Sequence, residues 1–224
     1  MLITKNDIQL IDSMGSDRTV VNAARVSFGV SLEEDQTLTE KDKDLISYLA
    51  KHDHWTPFAH CMLTFYIRAP IAIRTQFFKH KVGFTENEIS RRYTTKSPNI
   101  YLPAFKEKPE GSIKQGSGKM LEGDKAKMAE NLYDASVALA RDTYNSLILA
   151  GVCPEQARFV LPQATFTEWY WTGSLAAYAR FYKLRTSNHA QFEIRSYAKC
   201  IGNIVKELFP VSWDALVNST SSSE

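Results

Sequence analysis

Residues 61–93, CMLTFYIRAPIAIRTQFFKHKVGFTENEISRRY, contain the pattern that decides the fold. Residues 61–67 alternate in character and are rich in residues that favour β-structure, which predicts a strand. Pro70 then begins a helix predicted to continue through Phe78, because proline is well tolerated in the first turn. The polar residues that follow, 79–93, predict a connection with a functional role.

Helical patterns dominate the sequence on both sides of this segment, and a second predicted strand at 163–171 lies far from the first. Strands that are far apart among helices are typical of an α+β fold rather than a regular βαβ alternation. We therefore predict a central, mostly antiparallel sheet flanked by helices. The other predicted helices cover residues 17–28, a segment that starts near Thr39 with Asp42 in a capping box, 124–149, 154–161, 174–184, and a late helix from Ser187 or Asn188 to just before Pro210.

The chain has 224 residues, 44% of them hydrophobic, and is long and apolar enough to bury one core. We expect one domain over residues 1–217 and a disordered tail over 218–224. No apolar run approaches the roughly 18 residues that span a bilayer, and no signal peptide is recognisable. The cysteines, Cys61, Cys153 and Cys200, are too few for a disulfide framework, so we expect a cytoplasmic protein without membrane partners.

Charge is distributed unevenly along the chain. The formal net charge of +2 does not suggest a protein that coats nucleic acid. Between residues 68 and 96, however, seven cations accompany only two anions, and this excess favours a site for small anions such as phosphates. A solvated surface face is the alternative explanation. The cations are Arg68, Arg74, Lys79, Lys81, Arg91, Arg92 and Lys96, and the anions are Glu86 and Glu88.

The most specific local pattern is the basic triplet at 79–81 followed by Glu88, Ser90 and Arg92. If residues 88–92 are extended, these three side chains share one face, because side chains alternate along a strand. A carboxylate, a hydroxyl and a guanidinium can together bind the sugar, base and phosphate of a nucleotide. The alternative is an exposed loop with casual ion pairs.

A second pattern lies at 184–191, where one predicted helix ends and the next begins. Asn188 and Gln191 resemble a capping pair, which would place His189 in the first turn of the late helix. The helix dipole would keep that imidazole neutral, so that it can hydrogen-bond a phosphate or a flavin. Arg185 is placed to enter the same pocket, or else serves only as a cation at a helix C-terminus.

Two further groups leave their roles open. Arg158 lies among apolar residues and needs an anionic partner, either a carboxylate of the protein or a substrate phosphate. His52, His54 and His60 lie within nine residues, but no acidic or cysteine partner has helical ligand spacing. We therefore predict no metal site, and expect these histidines to cap turns or contact a ligand.

The run from Arg74 to Tyr93 resembles the signature of flavin-dependent thymidylate synthases, usually written RHR, seven residues, then Ser. Four other segments occur in the family's order, and the resemblance extends from about residue 10 to residue 215. The segments are AARVS at 23–27, similar to the first helix; HWTPFAH at 54–60, similar to HxSPFEH; ARFVLP at 157–162, similar to ARxVLP; and LRTSNHAQFEI at 184–194, similar to LRxxxHAQxEI.

The resemblance implies an enzyme that reductively methylates dUMP to dTMP. In this family 5,10-methylenetetrahydrofolate donates the carbon, reduced FAD donates the hydride, NADPH reduces the flavin, and no cysteine nucleophile is needed. It also implies a homotetramer with FAD and dUMP bound where subunits meet, and small molecules rather than nucleic acid as partners.

Site roles follow position by position from the resemblance. Arg185 is the catalytic residue, because a guanidinium near N3 and the carbonyl oxygens of uracil would stabilise negative charge on the ring. Arg158 is expected to come from a neighbouring subunit. The dUMP-binding residues are Gln76, Lys79, Glu88, Ser90, Arg91, Arg92, Arg158 and Arg185, and the FAD-binding residues are Thr56, Lys79, His80, Lys81, Glu88, Arg180 and His189.

Several residues depart from the family pattern. Lys79 and Lys81 replace the two arginines of RHR, which keeps their charge but loses the planar fork that binds phosphate bidentately. The interval from Lys81 to Ser90 is one residue longer, Ala59 replaces a glutamate, and Arg180 stands where an asparagine is expected near the flavin. These changes affect the expected FAD contacts more than the dUMP contacts.

Two other functions remain open on sequence alone. A non-catalytic nucleotide-binding protein would have kept the pocket and lost flavin through the lysine changes. A cysteine-dependent uridylate enzyme would need an activated thiolate, for which Cys153, next to Pro154, is only mildly suggestive.

Overall fold

The computed structural model describes residues 7–29, 37–109 and 116–219. Four antiparallel strands form one sheet in the order β1-β2-β4-β3, with helices packed against it, so the predicted α+β architecture is confirmed. The strands are β1 (Ile8–Met14), β2 (Met62–Pro70), β3 (Phe84–Glu88) and β4 (Phe166–Ser174). The helices are α1 (Asp17–Arg25), α2 (Glu40–Lys51), α3 (Ile71–Phe77), α4 (Gly123–Leu149), α5 (Pro154–Ala157), α6 (Leu175–Thr186), α7 (Phe192–Leu208) and α8 (Pro210–Asn218), with 3-10 turns at Val26–Phe28, Pro57–His60 and Arg158–Val160.

The two predicted strands pair with each other at the centre of the sheet. β2 and β4 run antiparallel from Met62 opposite Ser174 to Pro70 opposite Phe166. Their alternate side chains point into one core, where the Phe77 ring lies 5.0–5.7 Å from four other aromatic rings. Such pairs each contribute about 0.5–1.5 kcal/mol beyond the area that they bury, so α3 is firmly anchored to the sheet. These four rings are those of Trp169, Trp171, Phe181 and Tyr197.

The predicted capping box at the start of α2 is confirmed. The Thr39 hydroxyl accepts from the Asp42 backbone N–H at 3.3 Å, and the Asp42 carboxylate accepts from the Thr39 N–H at 2.8 Å. That carboxylate is buried and forms ion pairs with Arg18 and Arg25 of α1. The cap therefore also fixes α1 against α2.

The prediction for the start of the late helix is wrong. α7 begins at Phe192, and Gln191 is its N-cap without a side-chain cap hydrogen bond. Residues 187–190 form a separate turn, in which the Ala190 N–H donates to the Ser187 carbonyl at 2.9 Å. His189 therefore lies on this turn and not in the first turn of the helix.

α7 ends before Pro210, as predicted. Pro210 also begins α8, a helix that the local sequence pattern did not predict. The Asp17 carboxylate accepts from the backbone N–H groups of Val211 and Ser212 at 3.0 and 2.9 Å. A residue of α1 thus caps a helix almost two hundred positions later, and no local motif carries that information. Asn218 is the last residue of α8, and the predicted tail beyond Ser219 lies outside the described residues.

The segment 79–93 contains a strand, but not the one expected. β3 ends at Glu88, and the chain then turns, with the Tyr93 N–H donating to the Ser90 carbonyl at 3.1 Å. The prediction that Glu88, Ser90 and Arg92 share one face of an extended segment is therefore wrong. Glu88 lies at the end of an edge strand, whereas the other two lie on the turn beyond it.

The long helix α4 packs weakly against the rest of the chain. Of the residues of α4, Tyr144 is buried. The side chains of Met128, Leu132 and Leu139 are 63–69% exposed. These three positions follow a four-and-seven spacing that places them on one side of the helix. Across the described ranges, no helix is both long and apolar enough to cross a membrane.

Candidate active site

A cavity of about 1190 Å³ lies between the end of α3, residues 103–109 and 116–118, and the connection from α6 to α7. Gln76, Lys79, Arg185 and His189 all line it, so four of the predicted site residues are brought together. Gln76 also joins two walls of the cavity, because its side-chain NH₂ donates to the side-chain Oε1 of Gln191 at 2.6 Å.

Arg185 lies at the end of α6 and is held by two neutral acceptors. Its Nε donates to His80 Nε2 at 2.9 Å, and its Nη2 donates to the Gln76 backbone carbonyl at 3.1 Å. Partial burial lowers the pKa of the guanidinium below its usual value, although an arginine remains charged. No carboxylate in the described part of the chain pairs with it, so its positive charge is available to a ligand.

His80 is neutral at physiological pH. Burial lowers the pKa of its imidazole to about 4, and the positive charges of Arg185 and Arg180 add to that effect. Since Nε2 accepts from Arg185, the ring proton is assigned to Nδ1. The imidazole also packs edge-on against Phe181, with ring centroids 5.1 Å apart. Arg185 is thereby fixed in position without losing its charge to a neighbour.

Glu88 lines a second, smaller cavity of about 140 Å³ with Arg91 and Arg158. Its Oε1 accepts from Arg74 Nε at 2.9 Å and from the Thr167 hydroxyl at 2.6 Å. Arg74 was not among the predicted site residues. Its signal in the sequence is the spacing to Phe78 four residues later, whose ring lies 4.9 Å from the guanidinium.

Arg91 and Arg158 bind backbone carbonyls rather than carboxylates. Arg91 Nη1 donates to the Lys96 carbonyl at 3.1 Å, and Arg158 Nε donates to the Glu155 carbonyl at 3.2 Å. The sequence left open whether Arg158 pairs with a carboxylate of the protein. Within residues 7–29, 37–109 and 116–219 it does not, so both guanidinium groups retain charge for an anion.

Ser90 and Arg92 lie next to this small cavity but are not gathered into it. The Arg92 side chain forms an exposed ion pair with Glu155 at 3.0 Å. The Ser90 hydroxyl accepts from the Arg92 backbone N–H at 3.3 Å.

The remaining predicted FAD residues lie outside both cavities. Lys81 forms an ion pair with Glu86, and its ammonium lies 5.2 Å from the centroid of the Phe78 ring. Arg180 Nη2 donates to the Val82 carbonyl at 2.9 Å, and Thr56 is exposed just before a 3-10 turn. Of the predicted FAD residues, the two cavities therefore contain only Lys79, His189 and Glu88.

His52, His54 and His60 are exposed, whereas Cys61 is buried and Cys200 is partly buried. His52 packs on the Tyr48 ring at 4.4 Å, and the described residues hold no cluster of three or more metal-binding side chains. Burial raises the pKa of the Cys61 thiol to about 12, and the nearby Asp17 carboxylate adds to that shift. Burial also raises the pKa of Cys200.

The lining of the large cavity includes residues that were not predicted from the sequence. Among them, Lys106, Phe192 and Arg195 form one wall, with Lys106 Nζ 3.7 Å from the centre of the Phe192 ring. Arg195 directly follows the HAQFEI segment, and the loop that carries Lys106 has no recognisable motif. Only the fold brings these two parts of the chain together.

Comparison with known proteins finds a matching family model, similar sequences and similar structures. The sequence model of the family described as thymidylate synthase complementing protein matches residues 9–211. A flavin-dependent thymidylate synthase from Thermosipho africanus is 38% identical over 216 residues, 96% of this chain and 92% of that protein. One from Thermus thermophilus is 37% identical over 215 residues, 96% of this chain and 76% of that protein. Among solved structures, the UMP/dUMP methylase PolB from Streptomyces cacaoi bound with 5-Br dUMP is similar, with a TM-score of 0.83 and 29% identity over 93% of each chain.

Proposed function

This chain belongs to the flavin-dependent thymidylate synthase family, and on that basis we propose that it reductively methylates dUMP to dTMP. One observation carries the proposal. Arg185 faces a large cavity with its charge uncompensated, held by the neutral His80 imidazole and a backbone carbonyl. A fixed guanidinium in that state is suited to a substrate on which negative charge develops.

Methylation of uracil at C5 requires electron density at that carbon. The two Nη groups of Arg185 would stabilise negative charge on the pyrimidine edge that they face, so the ring becomes nucleophilic without covalent attachment to the protein. Gln76 is fixed beside Arg185 through its backbone carbonyl and would orient the same ring. The high pKa of Cys61 supports a mechanism without a cysteine nucleophile.

The cavity residues fit FAD as the bound cofactor. The cavity lining includes Lys79 and Arg185, neither of which pairs with a carboxylate among the described residues, and this suits a ligand that carries phosphates. When bound and reduced, the flavin supplies the hydride. We propose that methylenetetrahydrofolate supplies the carbon and that NADPH is the reductant. His189 lines this cavity and would hydrogen-bond the cofactor.

The phosphate of dUMP is assigned to the arginines around the small cavity. Arg91 and Arg158 have charge to offer, because both bind only backbone carbonyls. Arg92 would exchange Glu155 for the phosphate, since an exposed ion pair of this kind contributes at most about 1 kcal/mol. Glu88 and Ser90 complete the proposed contacts to the nucleotide.

We propose that the active enzyme is a homotetramer. Thr56 and Lys81 lie outside the cavity that holds Lys79 and His189, so a single subunit does not gather the proposed FAD residues. The exposed row on α4 offers an apolar contact for a second copy of the chain. Replacing Leu132 by Glu is expected to reduce the mass measured by sedimentation to that of a smaller assembly. An unchanged mass would place the contact elsewhere.

The function is tested by the absorption spectrum and the product of the purified protein. We expect bound flavin, a spectral change on addition of dUMP, and dTMP formed from dUMP, methylenetetrahydrofolate and NADPH. Protein that takes up no FAD but binds dUMP would instead support a non-catalytic nucleotide-binding protein.

UMP must be tested beside dUMP, because the similar structure is that of a UMP/dUMP methylase. A product from UMP at a comparable rate would make this chain a methylase of both nucleotides. The absence of methylated product from either nucleotide, in protein loaded with FAD, would exclude the proposed activity.

A further inference from the structure

One wall of the large cavity is built around the Phe192 ring. Lys106 Nζ lies 3.7 Å from the centre of that ring, and the Arg195 guanidinium carbon lies 5.9 Å from it. Two cations are thus held beside one aromatic ring, which attracts positive charge through its π electrons. Ring and cations come from different parts of the chain, since Phe192 and Arg195 belong to α7 and Lys106 precedes α4.

Neither cation of this wall has a carboxylate partner among the residues that the structure describes. The Arg195 Nε is buried and has no hydrogen-bond acceptor there, although buried N–H groups in native proteins usually have one. The cavity carboxylate, Glu193, instead accepts from the Gln191 amide at 2.9 Å. A buried, unpartnered donor beside a second free cation is an arrangement that an anion from outside the chain would complete.

The rest of the proposed mechanism does not use this wall. The nucleotide phosphate is assigned to Arg91, Arg92 and Arg158, two of which line the other cavity. Arg185 is assigned to the pyrimidine ring. The volume of about 1190 Å³ leaves room for a ligand that extends from Arg185 to the Phe192 wall.

We propose that Lys106, Phe192 and Arg195 form a second anion subsite, which binds the charged end of a co-substrate whose reacting end lies near Arg185. This inference rests on the proposed function. The shared chemistry is an anionic group on an extended organic ligand. The glutamate carboxylates of the folate are one source, and the 2′-phosphate of NADPH is the other.

The two sources are separated by equilibrium binding to protein loaded with oxidised FAD and dUMP, in which no turnover takes place. The probes are tetrahydrofolate with one or three glutamates, and NADP⁺ beside NAD⁺, which carry the same difference in the 2′-phosphate but cannot reduce the flavin. Calorimetry gives Kd for each. Wild-type protein is expected to bind the longer tetrahydrofolate tail more tightly, and this gain should weaken as salt is added.

Lys106→Ala and Arg195→Ala are expected to raise Kd for the triglutamate about five- to tenfold each, the effect of losing one charge-assisted contact. Kd for dUMP should not change. Lys108→Ala is the matched control on the same loop, because that exposed lysine does not line the cavity. Lys199→Ala is the control for Arg195, on the same helix and also exposed.

The outcomes are distinct. Loss of the tail-length effect in both variants assigns the subsite to the folate. Loss of the preference for NADP⁺ over NAD⁺ assigns it to the 2′-phosphate. If the variants bind every probe as the wild type does, or if the controls weaken binding equally, the subsite does not exist.

Failure of the proposed function is recognised separately. It would appear as wild-type protein that forms no methylated nucleotide. Inorganic tripolyphosphate then serves as a probe that needs neither folate nor pyridine nucleotide. Binding of tripolyphosphate that is weakened about fivefold or more by either variant, and by neither control, would still support the anion subsite. Equal binding in all five proteins would overturn it.

Discussion

Two arginines, Arg74 in the small cavity and Arg185 in the large one, are held in opposite ways. In the small cavity, Arg74 donates to Glu88 at 2.9 Å, so its charge is compensated within the chain. In the large cavity, Arg185 donates to a neutral imidazole and a backbone carbonyl at 2.9 and 3.1 Å. Both guanidinium groups are partly buried and well fixed. The difference is that Arg185 is held in a fixed orientation without a carboxylate to neutralise its charge.

That contrast separates a structural arginine from one available to a substrate. An ion pair between Arg74 and Glu88 stabilises the protein in its resting state and leaves little charge for a ligand. Hydrogen bonds from Arg185 to neutral acceptors stabilise its orientation at a smaller electrostatic gain. The remaining charge can then act where negative charge develops during a reaction, which is the arrangement that accelerates chemistry.

The largest expected effect comes from removing the uncompensated arginine. Arg185→Ala should lower the rate of dTMP formation about 100- to 1000-fold, the cost typical of losing one fixed donor to a developing negative charge. Flavin content, measured from the absorption spectrum, should stay near that of the wild type. Rates are measured at saturating dUMP so that weaker binding does not mimic slower chemistry.

The conservative variant Arg185→Lys sharpens this test. An ammonium keeps the charge but cannot donate to His80 and Gln76 while facing a ring, so only a small part of the rate should return. Lys183→Ala is the control, because that side chain lies on the same helix and donates to Ser219. Full activity in Arg185→Ala would remove the basis of the comparison between the two cavities.

Breaking the compensated pair should lower stability. Arg74→Met removes a partly buried, charge-assisted hydrogen bond and Glu88→Gln removes the charge of its acceptor, and each should lower the free energy of unfolding by about 1–2 kcal/mol. Urea unfolding of both single variants and the double variant gives their coupling energy. If the losses of unfolding free energy in the two single variants simply add in the double variant, the ion pair does not contribute to stability. Arg74 would then no longer contrast with Arg185.

Local chemistry explains which elements the sequence predicted correctly. The Thr39 and Asp42 cap and the alternation in β2 depend on residues close in sequence, and both are confirmed. β3 was missed because it is a short edge strand of five mostly polar residues. α8 was missed because its cap, Asp17, is remote in sequence.

The same distinction applies to the site. Arg185, Gln76 and Lys79 were predicted through resemblance to a family, and the structure places them in one cavity. The neutral state of His80 could not be predicted, because it depends on burial against Phe181 and on the two nearby arginines. Lys106 meets Phe192 across 86 positions of sequence, and no spacing rule relates them.

The neutral His80 imidazole, which accepts a hydrogen bond from Arg185, should make the stability of the protein depend on pH. Its folded pKa, about 4, lies below the ordinary value of 6.5. Between these values the unfolded chain binds a proton that the folded chain does not. This contribution to stability is therefore fully present above pH 6.5 and is lost as the pH falls toward 4.

His80→Gln keeps a side chain that can accept from Arg185 but does not titrate. Its free energy of unfolding, measured in urea from pH 7.5 to pH 5, should fall less steeply with acid than that of the wild type. The difference between the two proteins isolates His80 from the carboxylates that titrate in both. Parallel curves would mean that His80 is not held neutral by its surroundings.

The smallest effect on activity is expected from replacing the cysteines, because no cysteine lines either of the two cavities. Cys153 and Cys200 replaced together by Ala should leave the rate of dTMP formation within about twofold of the wild type, since neither thiol contacts the proposed substrates. Cys61→Ala is made separately, because this thiol is buried and its removal costs packing as well. Folding is therefore checked by urea unfolding before rates are compared.

A folded Cys153→Ala protein without activity would revive a thiolate mechanism. It would also make Arg185 an accessory to a nucleophile rather than the group that activates the ring, and the contrast between the two cavities would then concern binding alone.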